Sequence, residues 1–338
     1  MVAESSVADG SSHLKASWAS RLAVLVRVAR ILVFLAIAGS ITYAIYTLWP
    51  DVRDTWLALN PWAIALSVAA ALTAMTANVM AWHAVLRELD HRVPVIDAGR
   101  ITLVGQLGKY LPGSIWAFVL QMELARRAGI PRARAFAASL ILVGIATTAA
   151  LVLGLMGLPA LREVGGAAVW GVLALIPVAV VCAMPPVLSR LVNLFLRLLR
   201  REGLGHGLTY RGLSRIFGWS LVAWVLFGVH FWVLSSGLEG AGAPNLAEAI
   251  GAFALGMTAG LLAVASPSGL GVREAVLVAL LAPFAGLGAA LGVALASRLI
   301  LTVADVLAAS VAVVSARLTG TDSAAGAPVG REPVPMQL

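Results

Sequence analysis

Long apolar runs, separated by short polar stretches rich in arginine, set the layout of this chain. Val28–Trp49, Trp62–Trp82, Ala135–Leu158, Ala167–Leu188, Ile216–Leu238 and Leu287–Ala316 carry few charges. Each is long enough to cross about 30 Å of hydrocarbon as a helix rising 1.5 Å per residue. The pattern predicts six full transmembrane helices. Three further apolar regions, 95–124, 246–266 and 272–284, are interrupted by proline and glycine and do not fit simple crossings.

The arginines order these pieces. Lys15, Arg21, Arg27 and Arg30 lead into the first run, Arg126, Arg127, Arg132 and Arg134 precede Ala135, and 189–215 adds Arg190, Arg197, Arg200, Arg201, Arg211 and Arg215. Such segments stay in the cytoplasm. With the N-terminus inside, the chain is back inside at His83 and inside again at 126–134. Residues 95–124 must therefore enter and leave by one face. Their centre, Gly105-Gln-Leu-Gly-Lys-Tyr-Leu-Pro-Gly113, has the means. Pro112 breaks a helix, and Gly108 and Gly113 allow a sharp reversal. The same grammar recurs in Ala265–Val276, "ASPSGLGVREAV", where Pro267, Gly269 and Gly271 split 246–284. Two re-entrant hairpins are predicted, at about 95–124 and 246–284, entering from opposite faces. Each lies between two full spans, so the fold class is an all-α polytopic membrane protein with an inverted repeat. Ala138-Ser-Leu-Ile-Leu-Val and Ala296-Ser-Arg-Leu-Ile-Leu follow the two hairpins in matching positions. Broken helices meeting near the midplane in inverted repeats are a transporter architecture.

Composition agrees. The 338 residues are 60% hydrophobic and 12% charged, where soluble domains are about a quarter charged. The net charge of +8 comes from loop arginines, and no basic stripe interleaved with aromatics suggests nucleic acid. Cys182 is the single cysteine, which excludes an intrachain disulfide and a cysteine metal centre. Residues 1–27 read as a polar cytoplasmic segment, 28–316 as one transmembrane domain, and 317–338 as a disordered tail. Both termini are expected in the cytoplasm. Trp49, Trp56, Trp62 and Trp82 read as interfacial belt residues.

Charges at membrane depth cost roughly 2.5–3.5 kcal/mol each on insertion scales and point to function. They are Lys109 in the first hairpin, Arg273 and Glu274 in the second, and Arg298 and Asp305, seven apart on one face of the last span. Helix starts after Gly113 and Gly271 offer free N–H groups to an anion. Lys109 and Arg273 add cationic charge, and a guanidinium suits phosphate. Glu274 or Asp305 would hold the arginines while the site is empty, and either could carry a proton. The five form a candidate site for an anionic lipid head group. An ion-pair network that only pins the hairpins accounts for the same charges. His230 reads as a packed histidine, and Asn78 and Gln121 as partners across helices. Tyr110 and Trp116 suit either a cavity wall or core packing. No Walker loop, nucleophile–base pair or zinc spacing occurs, so neither cofactor nor metal is expected, and an enzyme acting alone is disfavoured.

"GKYLPGSIW" (Gly108–Trp116) and "SPSGLGVREAVLVALL" (Ser266–Leu281), followed by "ALASRLI" (Ala294–Ile300), resemble the lysylphosphatidylglycerol synthase transmembrane-region family, also called flippase-like domain proteins. The resemblance covers about 30 to 315. It implies a bacterial inner-membrane protein related to the lipid-translocating half of aminoacyl-phospholipid synthases, with an anionic phospholipid or polyprenyl-phosphate-linked glycan precursor as cargo. The positions matching the motifs are Gly108, Lys109, Pro112, Gly113, Pro267, Gly269, Gly271, Arg273, Glu274 and Arg298. Two departures stand out: Ser268 replaces a usual glycine, and Ser139-Leu140 stands where relatives often carry Glu-Arg. The soluble aminoacyl-transferase domain of full-length synthases is not expected. Three roles remain: aiding lipid translocation, serving as a non-transporting scaffold subunit for a glycosyltransferase or other envelope-synthesis enzyme, or acting as a membrane-embedded transferase that uses a donor lipid.

Overall fold

The computed structural model describes residues 46–110, 115–237, 242–263 and 269–318. The expected first span up to residue 45, the N-terminal segment, Pro112, Gly113, Pro267 and the tail beyond Leu318 lie outside the described residues.

Among the described residues the protein is all-helical. Five helical segments among the described residues are long and apolar enough to cross a membrane: Pro61–Glu88, Arg132–Glu163, Gly166–Ala183, Tyr210–Ser236 and Leu287–Leu318. They coincide with five of the expected spans, and the chain is a multi-pass membrane protein.

In chain order, α1 (Trp49–Ala58) precedes α2 (Pro61–Glu88). Pro at the start of each supplies a fixed φ where no N–H is needed, and the Asn60 side chain caps α2 by accepting from the Trp62 N–H at 2.9 Å. The stretch around Asp51, between the first two apolar runs, is thus helical. It lies along the last span, α12 (Leu287–Leu318). There the Trp56 indole N–H donates to the Gly292 carbonyl at 2.9 Å, and a Cβ on Gly292 would crowd Thr55.

Among the described residues of 95–127 are two short helices, α3 (Val95–Gln106) and α4 (Trp116–Arg127), packed on each other. At 1.5 Å per residue each arm is about 18 Å long, far short of about 30 Å of hydrocarbon. Gly108 sets their crossing, since a Cβ there would meet the Ala117 backbone at 2.6 Å. The second hairpin pairs α10 (Leu246–Leu262) with α11 (Val272–Ala285), arms of about 26 and 21 Å. Gly269 closes it twice over: its φ is +68°, and a Cβ would strike the Gly260 backbone at 2.6 Å. Asn245 and Glu248 form a reciprocal cap at the start of α10.

Between the hairpins run α5 (Arg132–Gly154), α6 (Leu158–Val164), α7 (Gly166–Ala183), α8 (Pro185–Leu198) and α9 (Tyr210–Ser236). α9 packs along α2 more extensively than any other pair of described helices pack. Ser67, Ala71, Ala74 and Ala81 are buried along α2 and let the backbones approach. Close packing of small residues takes over the driving role that water would otherwise supply. α5 meets α10, and α12 packs against α1, α2, α3 and α11, so the last span touches both hairpins.

Two expectations need correction. Trp82 is fully buried, not interfacial, because α2 continues six residues past it to Glu88 and draws it into a core with Leu86, Ile101, Ile141 and Ile216. Trp62, by contrast, is exposed. The segment 189–215 is not a plain loop. Met184 ends α7, Pro185 opens α8, and α8 buries Leu188, Val192 and Leu196 at four-residue spacing. Ser189 and Asn193 tie the following turn back to it, accepting from the Leu208 and Leu204 N–H groups at 3.1 and 2.6 Å.

Candidate functional site

The last span brings the two hairpins together. Arg298 and Asp305 lie seven residues apart on α12, so both face inward. They do not pair with each other, because each reaches a different hairpin. Asp305, which is buried, takes the Lys109 Nζ at 2.5 Å and the Tyr110 hydroxyl at 2.6 Å from the first hairpin. Lys109 Nζ also lies 5.3 Å from the Tyr110 ring centroid. Arg298 donates through Nη1 to Glu274 Oε1 from the second hairpin. The other oxygen of Glu274 accepts from the Gly271 N–H at 2.8 Å. One carboxylate thus anchors an arginine and caps the first turn of α11. The φ of +84° at Gly271 makes that turn possible.

Arg273 differs from the other two cations. Its Nε and Nη2 are buried and have no hydrogen-bond partner among the described residues, although the residue as a whole is only part-buried. Its guanidinium lies 5.5 Å from the centroid of Phe253 on α10, a cation–π contact. Tyr110, Glu274, Arg298 and Asp305 all lie within electrostatic range. The expected carboxylate anchors exist, but they serve Lys109 and Arg298. The cluster holds three cations and two carboxylates and leaves one guanidinium with open donor capacity. Buried donors left unpaired cost about 1–3 kcal/mol, more for charged groups.

Beside Arg273, His230 is fully buried, which agrees with a packed histidine. Its Nδ1 lies 2.6 Å from Ser67 Oγ and its Nε2 2.9 Å from Ser297 Oγ, linking α9 to α2 and α12. The ring packs edge-on against Phe253 at 5.9 Å. Sequence reasoning passed over Ser67, Ser297 and Phe253. Ser297 alone had a signal, as the neighbour of Arg298.

The two halves differ in kind. In the second, the link from the returning hairpin arm to the following span is charged, Glu274 to Arg298. In the first it is neutral, with Ser139 Oγ donating to Gln121 Oε1 at 2.7 Å. Gln121 is therefore a cross-helix partner as expected. Tyr110 is a ligand of Asp305 rather than core packing, and Trp116 is half-exposed.

At the other end of α4, Glu123 collects Arg126, Arg127 and Arg132 at 2.7, 3.4 and 2.6 Å. Hydrogen bonds from Arg126 and Arg132 hold its carboxyl well below the usual carboxylate range. Among the described residues no group of three or more His, Cys, Asp or Glu side chains is placed to hold a metal ion.

The model of the family described as the lysylphosphatidylglycerol synthase TM region matches residues 22–309. No curated protein matches the chain.

Proposed function

Because the chain belongs to the lysylphosphatidylglycerol synthase TM region family, we propose that it binds the anionic head group of a membrane lipid at the Lys109–Arg273–Arg298 cluster and aids its passage across the bilayer. The observation that carries this reading is Arg273, a cation with two buried and unused donor nitrogens, Nε and Nη2, in the second helix pair. A phosphate or phosphoglycerol head group satisfies those donors and the cluster's excess positive charge together. Glu274 and Asp305 hold the other two cations in place, so the site is formed before the ligand arrives.

In this reading the two helix pairs are re-entrant hairpins entering from opposite faces of a bacterial inner membrane, with six full spans around them and both termini in the cytoplasm. The short arms and the arginine-rich ends at 126–134 and 190–201 support it. Non-helical backbone at membrane depth is tolerated where it lines a polar cavity. Lipid passage involves no covalent chemistry by this chain, and an envelope-synthesis enzyme is its natural partner.

Proteoliposomes carrying head-group-labelled phosphatidylglycerol test the reading. The parent protein is expected to speed equilibration between leaflets. Arg273→Gln should slow it at least tenfold while the protein still inserts and elutes as a single species, and Arg273→Lys should fall between. A parent that moves neither this lipid nor a polyprenyl-phosphate lipid, or Arg273→Gln at parental rate, rules it out. A stoichiometric enzyme that co-purifies with an inactive parent would favour the scaffold role.

A further inference from the structure

Helix α8 carries more apolar surface than its packing covers. Leu188, Val192 and Leu196 are buried in the core that includes α5. Going round the helix at about 100° per residue, Ser189 and Asn193 come next, and both are bound to the segment 204–208. Arg190 and Arg197, seven residues apart, follow as one exposed ridge. The last sector holds Leu191, Leu194, Phe195 and Leu198, which brings the circle back to Leu188. All four are exposed, Phe195 by 50% and Leu198 by 71%. The apolar arc is thus continuous, and packing among the described residues buries only one half of it. The end of α8 adds charge. The Arg201 N–H donates to the Leu196 carbonyl at 2.8 Å and the Arg200 N–H to the Arg197 carbonyl at 2.9 Å, the pair of bonds that closes a helix through a left-handed residue. That residue is Arg200, with φ +54°, at a position that favours glycine. No Asp or Glu occurs from Pro185 to Arg201, and the four arginines of 190–201 are all exposed.

We propose that α8 is an interfacial helix of the cytoplasmic leaflet, with Leu191, Leu194, Phe195 and Leu198 seated among acyl chains and the arginines of 190–201 binding anionic phospholipid head groups. Three observations select a lipid surface as the occupant. α8 follows the span α7 directly, across the single extended residue Met184 with ψ 137°, so the apolar arc starts where a membrane helix ends. Its charge is of one sign and complements an anionic leaflet, to which each arginine near the surface adds attraction. Its polar and apolar arcs are cleanly divided, with the arginine ridge beside exposed leucines, as in helices that lie at head-group depth. A guanidinium on a long aliphatic stem reaches a phosphate while the stem stays on apolar surface. Only the cytoplasmic placement of the arginine-rich segment is taken over from the proposed function; the Lys109–Arg273–Arg298 cluster plays no part.

The full chain with Cys182→Ala and a bimane on Leu198→Cys is placed in nanodiscs of mixed phosphatidylglycerol and phosphatidylcholine. Doxyl groups near the ester end of the acyl chains should quench the bimane, and aqueous iodide should not. In parallel, phosphatidylglycerol with a diazirine near the ester end of one chain should label residues 187–201 about threefold more, or better, than phosphatidylcholine carrying the same chain. Arg190→Gln combined with Arg197→Gln should bring that ratio to about one. Arg200→Gly should lower the ratio with an unchanged or higher melting midpoint, because glycine relieves the left-handed residue. A folding defect therefore cannot account for that loss. Arg273→Gln should leave the ratio at the parental value, and a ratio that falls with it assigns the preference to the cluster instead. Iodide quenching without doxyl quenching makes the exposed face of α8 a water-facing surface, fit for a soluble partner, and overturns the interfacial placement. A parental ratio of about one, or a ratio that the arginine variants leave unmoved, overturns the head-group binding.

Discussion

Glu274→Gln isolates the charge that holds the second hairpin to the last span. The amide keeps an oxygen for the Gly271 N–H, so the cap on α11 survives. The carboxylate opposite Arg298 is lost. The Glu274 side chain is 8% exposed and that of Arg298 26%, so the stranded guanidinium sits largely out of water. Removing one partner of a buried pair costs about 3–5 kcal/mol. Partial access of Arg298 to solvent favours the lower end, about 3 kcal/mol. For a large domain this lowers an unfolding midpoint by roughly 6 °C. The assay is a tryptophan-fluorescence melt in one detergent at one scan rate, because unfolding of such proteins is commonly irreversible. Arg298→Met in the Glu274→Gln background removes the stranded charge and should restore most of the loss, since neutral replacement of a buried pair is near neutral. A single variant within about 1 °C of the parent, or a double variant no better than the single, would refute the reasoning.

Gly108→Ala should destabilise by more than about 2 kcal/mol, because the added Cβ meets the fixed Ala117 backbone; monodispersity on gel filtration and the melting midpoint check this. Gly129→Ala, where nothing lies within 4 Å and only the φ of +79° resists, should cost about 1 kcal/mol. Burial and then the Arg134 charge hold the His91 imidazole below its ordinary value. The folded protein therefore binds fewer protons there than the unfolded chain, and stability present above about pH 6.5 is lost as pH falls through the lowered value. His91→Gln should match the parent at pH 8 and outlast it at pH 5; parallel melting curves at both pH values would count against this. With Cys182 replaced by alanine, Asp90→Cys and Arg127→Cys should both react with an impermeant maleimide from the same side of the membrane. Labelling from opposite sides would end the re-entrant reading of residues 95–127.

Much of the architecture was legible in the sequence because bilayer thickness imposes a length on apolar runs. Five described spans fall where hydropathy put them, and the apolar regions interrupted at Gly105–Gly113 and Ala265–Gly271 each hold two short helices packed on each other, α3 with α4 and α10 with α11. The family followed from the same glycine, proline and charge motifs. Periodicity was a weaker guide at the edges. Trp82 resembled a belt residue until six more helical residues placed it inside, and α8 was hidden among arginines whose aliphatic neighbours are its buried face.

The five charged residues of the cluster were nameable from sequence alone, since a charge in an apolar run stands out wherever it falls. Their partners were not. Pairing depends on which faces meet across helices hundreds of residues apart or dozens apart, and spacing along one chain carries no such information. Only tertiary packing decided that Asp305 takes Lys109 and Tyr110, that Glu274 takes Arg298, and that Arg273 is left against Phe253 with donors unused. A half-open apolar cavity of ≈ 360 Å³ between α2, α3 and α12 is of the same kind: Met75, Gly99 and Ala312 are unremarkable residues on three separate helices, and they border one space only once those helices are packed.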